Sequence, residues 1–245
     1  MCGIRVLQSI SAALLLMMSH SLVSAPLRVM TYRDAPFAEE LNGRQYGLLI
    51  ELLDALFKQA NISYTVEFLP LKRGMIMAEQ YKDVCVLPVE RSQEREAHFS
   101  WISPVLLSRY GLFSASMKSL PLTTLKDAKA LRIGSFLGSG TGEYLGDLGF
   151  NVELTTSSEQ NLKKLEKGRI DLWAAELVSA QNAMKLGNVQ LGEPELVFYT
   201  SMRAMACHPE LPSSTKKALE GALNALYQSG FIEQLNAKYG VKPES

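Results

Sequence analysis

Two successive runs of alternating strand and helix patterns restrict this chain more than any other feature. LRVMT (27–31) is a short apolar run bounded by turn residues, which predicts a strand. Gly47 then opens GLLIELLDALFKQAN, where Leu49, Leu52, Leu53, Leu56 and Phe57 recur at helical spacing. Such an apolar stripe must pack on a neighbouring surface. YTVEFLP (64–70) predicts a second strand, MIMAEQY a short helix and DVCVLPV (83–89) a third strand. Strands joined through helices form a parallel sheet covered on both faces.

The pattern then restarts. LRIGS (131–135) predicts a strand, and LGSGTGEYL (137–145) a glycine-rich turn entering a helix. NVELTT, a helix over 158–167 and IDLWAA complete a second unit. RYGLFSASMKSL (109–120) and VFYTSMRAMA (197–206) read as extended segments crossing between the units. The tail TKKALEGALNALYQSGFIEQLNAKYG predicts two helices separated by Ser229-Gly230. The expectation is an α/β chain of two lobes, each a mostly parallel sheet flanked by helices, with two hinge crossings. Lobe 1 comprises 26–112 plus 200–245, and lobe 2 comprises 113–199. Two open sheets facing each other leave a ligand cleft at their strand ends.

The first 25 residues stand apart. Arg5 is their only charge; the apolar run SISAALLLMM follows, then the small residues of SHSLVSA. This reads as a secretory signal peptide over 1–25, because the run is too short to span a bilayer. Ala25 ends a small-x-small pattern but precedes Pro26, which disfavours cleavage there; a cut after Ser21 and an uncleaved anchor are the alternatives. Cys2 precedes the apolar run and is not read as a lipid site. The expected location is the periplasm. There, two cysteines remain, Cys85 and Cys207, both in apolar strand-like runs. Buried free thiols are the expectation; one disulfide is the alternative that an oxidising compartment allows. The 25 basic and 25 acidic residues balance, which argues against a nucleic-acid partner. Three histidines, without ligand spacing, imply no metal, and no cofactor is expected.

Four stretches carry a family resemblance: LRVMTYRDAPF with the following GLLIELLDAL, KDVCVLPVERSQEREAHFSWISP, IGSFLGSGTGEYL, and EKGRIDLWAAE; the terminal LNAKYG agrees. In these the chain resembles the extracytoplasmic solute-binding proteins of the polar amino-acid type (bacterial solute-binding family 3), with their type II periplasmic-binding-protein-like fold. The resemblance implies that Arg95 takes a ligand carboxylate, with Ser139, Gly140 and Thr141 as the other half of that clamp. A guanidinium suits the role because its planar fork makes two parallel charge-assisted bonds. The family's ammonium-holding carboxylate falls on Glu176, and Asp171 is structural. Tyr32, Asp34 and Phe37 match the loop lining the family's pocket, while Leu71 and Phe136 match apolar contacts. Lys72 and Arg73 would bring positive charge to the mouth.

Each assignment has a plainer competitor. Arg95 lies between Glu94 and Glu96, as in a solvated ion-pair cluster. The glycine-rich turn could simply cap a helix, and Glu176 could be a helix N-terminal glutamate favoured by the macrodipole. Tyr32 and Phe37 could be core. The third strand also departs from the family, having Leu87, Pro88 and Glu90 where small hydroxyl residues are usual. Glu90 would place a second carboxylate in the cleft, which suits a more cationic ligand or a weaker site. The expected function is capture of a small zwitterion, an amino acid or related compound, for an inner-membrane ABC permease, by a monomer. The alternatives are a dehydratase-like enzyme using Glu176 or Glu90, and a protein presenting its ligand to a sensor.

Overall fold

The computed structural model describes residues 25–115 and 120–241. The leader assigned to 1–25 therefore lies outside the described residues except for Ala25, and so does part of the first crossing segment. The first unit runs β1 (Leu27–Thr31), β2 (Glu39–Leu41), β3 (Arg44–Tyr46), α1 (Leu48–Ala60), β4 (Tyr64–Phe68), α2 (Leu71–Gln80) and β5 (Val84–Glu90). A fourteen-residue strand, β6 (Ser100–Phe113), leads out of it. The second unit runs β7 (Arg132–Phe136), α3 (Gly140–Asp147), β8 (Asn151–Thr155), α4 (Ser158–Glu166), β9 (Leu172–Glu176) and α5 (Leu177–Gly187). The chain returns along β10 (Leu196–Cys207) and ends in α6 (Ser213–Gln228) and α7 (Phe231–Lys238).

Eight strands are linked in the order β4-β1-β5-β10-β6-β9-β7-β8. β1 is parallel to β4 and β5, and β7 is parallel to β8 and β9. β10 runs antiparallel to both β5 and β6, and β6 runs antiparallel to β9. The two crossing segments are thus one paired ribbon at the centre, and they join the two expected sheets edge to edge.

The cores divide on either side of that ribbon. Buried residues of two clusters lie within 27–106 and 204–235; those of the other two lie within 112–191. Leu219 and Leu223 of α6 join Leu49, Leu52, Leu53 and Leu56 of α1 in one cluster, so the tail returns to the first unit.

Three local expectations are corrected. α2 begins at Leu71, four residues before MIMAEQY, because its buried stripe is Leu71, Gly74, Met75 and Ala78. The β2–β3 hairpin and α5 have no counterpart in the sequence reading. The cysteines are not free thiols: Cys85 and Cys207 face each other in the β5–β10 register and form a disulfide. A separation of 122 residues hides that neighbourhood from the sequence. Among the described residues no helix is long and apolar enough to cross a membrane.

A covalent link across so long a loop restricts the unfolded chain strongly. The double variant Cys85→Ala/Cys207→Ala should lose about 2–5 kcal/mol of stability, read from urea unfolding against the oxidised parent.

Candidate functional site

The C-terminal ends of four parallel strands converge on one cleft, as expected for open α/β sheets. Tyr32 and Asp34 follow β1, Glu90 ends β5, Phe136 ends β7 and Glu176 ends β9. All five line a cleft of about 550 Å³ including its mouth, together with Leu71, Ser139 and Ser179. Tyr110 of β6, Trp173 of β9 and Arg203 of β10 complete its walls. Both units contribute, and the Tyr32 and Phe136 rings meet across the gap at 5.3 Å between centroids.

Glu90 makes the most consequential contact. Its Oε2 accepts from the Thr141 backbone N–H at 2.7 Å, and its Oε1 accepts from the Thr141 hydroxyl at 3.3 Å. It therefore seats a carboxylate on the first turn of α3, where unpaired N–H groups and the helix dipole favour negative charge. Gly140 is required at this approach, since a Cβ there would overlap the Glu90 carboxylate. Ser139 caps the same helix: its Oγ accepts from Gly142 N–H at 3.0 Å and donates to the Phe136 carbonyl at 2.7 Å. The glycine-rich turn is thus a cap and an anion seat at once, and a side chain of the first unit fills the seat.

Arg95 is buried, yet it is not among the lining residues. Its Nη1 donates to the Glu90 carbonyl at 3.2 Å. Its Nη2 donates to the Gly138 carbonyl at 2.9 Å and to Glu143 Oε2 at 2.6 Å. Gly138 has φ of 85°, a left-handed conformation that turns this carbonyl toward the guanidinium at no steric cost. Here Arg95 ties the two units together instead of presenting its fork to a ligand. Gly140 and Thr141 are likewise turned to Glu90 and do not line the cleft. Glu96 pairs with Arg91, at 2.5 Å, not with Arg95.

Glu176 combines both readings made of it. Its Oε2 accepts from Ser179 N–H at 2.7 Å, capping α5, while the residue faces the cleft. Burial pushes its carboxyl up to about 7, against the Ser179 hydrogen bond and with help from the Asp34 charge. Asp34 takes a 2.6 Å bond from the Ser179 hydroxyl, a third tie across the gap. Phe37 is core, and Asp171 is structural: it holds Arg132 at 2.9 Å. Lys72 does not line the cleft; its Nζ lies 4.0 Å from Glu143.

Sequence reading missed Arg203, Tyr110, Trp173 and Ser179. Arg203 is 3% exposed; its Nη2 meets the Tyr32 hydroxyl and lies 3.5 Å from Asp34 Oδ2. Its Nε and Nη1 have no hydrogen-bond partner among the described residues. One signal was available: Arg203 is a lone charge inside the apolar run SMRAMAC. Burial also pushes the Tyr32 and Tyr110 phenols upward, and the Tyr32 hydroxyl donates to the Pro88 carbonyl at 3.3 Å.

No family model and no curated protein matches the chain. Solved structures do. A histidine kinase sensor domain with similarity to periplasmic binding proteins aligns with a TM-score of 0.81, at 17% identity, over 87% of this chain and 95% of its own. The arginine-, lysine-, histidine-binding protein ArtJ from Geobacillus stearothermophilus gives 0.78 at 19% identity, covering 90% and 97%. The amino acid ABC transporter substrate-binding protein AbpA from Streptococcus pneumoniae, bound to L-arginine, gives 0.76 at 19%, covering 89% and 97%. The chain has the type II periplasmic-binding-protein-like fold.

A carboxyl raised by burial makes folding favour its protonated form. Stability linked to Glu176 is therefore present at low pH and lost as pH rises from its ordinary 4.5 through about 7. Glu176→Gln keeps an acceptor for Ser179 N–H without the charge. Relative to the parent it should gain up to about 3 kcal/mol between about pH 5 and about pH 8, measured by urea unfolding at each pH.

Proposed function

We propose that this chain is an exported solute-binding protein that captures a small charged molecule, an amino acid or related compound, between two closing lobes. The observation that carries this reading is a cleft lined from both units and bridged by ionic and hydrogen bonds at Asp34–Ser179, Glu90–Thr141 and Arg95–Glu143. Opposed groups of this kind make closure depend on what lies between them. The likeness to the arginine-, lysine-, histidine-binding protein ArtJ and to AbpA bound to L-arginine, and the sequence resemblance to bacterial solute-binding family 3, support the same assignment.

The lobes are assigned as 26–112 plus 200–245 and 113–199; the division of the cores supports this apart from Leu112, which packs with the second unit. Residues 1–25 serve as the export signal, the periplasm is the location, and the working form is a monomer that delivers ligand to an ABC permease. Glu90 and Glu176, the acids an enzyme on this scaffold would use, both hold helix N-termini, and we assign them to placing charge. The likeness to a sensor domain favours one second reading, presentation of ligand to a signalling partner. Reconstitution with a permease, scored by ligand-dependent ATP hydrolysis, separates the two.

A ligand that binds only the folded form raises its stability. At a hundredfold excess over Kd the cognate solute should add about 2.7 kcal/mol, or roughly 5–10 °C in Tm, in a thermal-shift screen of small charged solutes. Arg95→Ala removes a tie between the lobes without removing a side chain that lines the cleft. It should weaken the solute that scores in that screen by about tenfold or more, read by calorimetry.

A further inference from the structure

Three groups at the cleft could hold an anion, the first turn of α3, Arg95 and Arg203, and each is already engaged, wholly or in part. The first turn of α3 holds the Glu90 carboxylate. Arg95 is sealed by Glu143 and two carbonyls. Arg203 is set against Asp34 and the Tyr32 hydroxyl, leaving only Nε and Nη1 without acceptors. A ligand carboxylate seeking α3 would have to displace a tethered one, and tethering gives Glu90 an effective concentration on the order of millimolar or above. The displaced group would then have to find another partner in a buried site.

The balance of charge runs the other way. A second cavity of about 700 Å³ shares Asp34, Ser158 and Ser179 with the cleft. Across the two, the acids are Asp34, Glu39, Glu40, Glu90, Glu159 and Glu176, and the bases are Arg33 and Arg203. Arg33 is paired with Glu40 at 3.0 Å. Acidic walls of low dielectric raise the local concentration of cations and repel anions.

Resting on the solute-binding reading above, we infer that the ligand is an organic cation without a carboxylate, an amine, diamine or guanidine, and that Glu90 stands in on α3 for the carboxylate a zwitterion would bring. The ligand's ammonium or guanidinium donates to Asp34 and Glu176, and a second cationic end of a diamine lies toward the second cavity, whose lining Asp34 shares. A cation beside Glu176, whose carboxyl burial pushes up to about 7, would draw that group into its charged form.

Calorimetry on matched pairs tests this: arginine against agmatine, lysine against cadaverine, ornithine against putrescine. The amine should bind at least about tenfold tighter than its parent amino acid. Glu90→Ala should narrow or reverse that preference, and acetate should raise the melting temperature of Glu90→Ala but not of the parent. If Glu90→Ala fails to fold, Glu90→Gln, which keeps a hydrogen-bond acceptor, should show the same narrowing of preference. Amino acids binding tighter than amines would overturn the inference and leave the solute-binding reading intact. Their carboxylate would then sit on Arg203, and Arg203→Lys would weaken them. Absence of acetate rescue in a folded Glu90→Ala would overturn the stand-in role of Glu90. If no small charged solute of either class binds, the solute-binding reading fails and this inference fails with it.

Discussion

The ribbon formed by β6 and β10 is the constraint on which the site depends. The two strands pair from Ser100 opposite Cys207 to Leu112 opposite Leu196, through two register shifts. That register, extended to their neighbours, sets Arg203 opposite Glu90 on β5 and Tyr110 opposite Glu176 on β9. Groups distant in sequence thus become adjacent because hydrogen-bonded ladders leave little freedom in position. The Cys85–Cys207 bond fixes the same register at its far end.

Charge burial is the second organising effect. Glu90, Arg95, Glu176 and Arg203 are each less than a tenth exposed, a state that water strongly opposes unless partners compensate. Compensation comes from different sources: a helix N-terminus for Glu90, an acid and two carbonyls for Arg95, a helix cap for Glu176 and an acid with a phenol for Arg203. For Glu90 and Arg95 the partner lies on the opposite unit, so opening the cleft exposes both groups together. On the proposed function, affinity for a solute and closure of the lobes become one equilibrium.

Much of the fold was legible because regular elements leave a period. α1 shows a full stripe of leucines, and each parallel strand shows a short apolar run between turn residues. α5 left a fainter mark, since its buried face is Ser179, Ala180, Ala183 and Met184, too small and mixed to read as a stripe. The β2–β3 hairpin, EEL and RQY, buries too little to show alternation. In the site, Tyr32, Asp34, Leu71, Phe136, Ser139, Glu90 and Glu176 were named through the family resemblance, and each sits at or just past a strand's end. Arg203, Tyr110 and Trp173 sit within long or apolar strands, where side-chain direction follows from register and not from composition.

The sequence by itself determined the elements, their two-unit order and the presence of opposite charges near the strand ends, because hydrophobic period and chain order are local properties. Tertiary structure alone decided how those charges pair. It gave the anion seat of α3 to Glu90, turned Arg95 toward Glu143, joined Cys85 to Cys207 and brought Arg203 into the cleft. The reason is physical: a buried charge settles on whichever partner can approach to hydrogen-bonding distance with least desolvation. That choice is made by strands and helices packed together, over separations that local pattern does not encode.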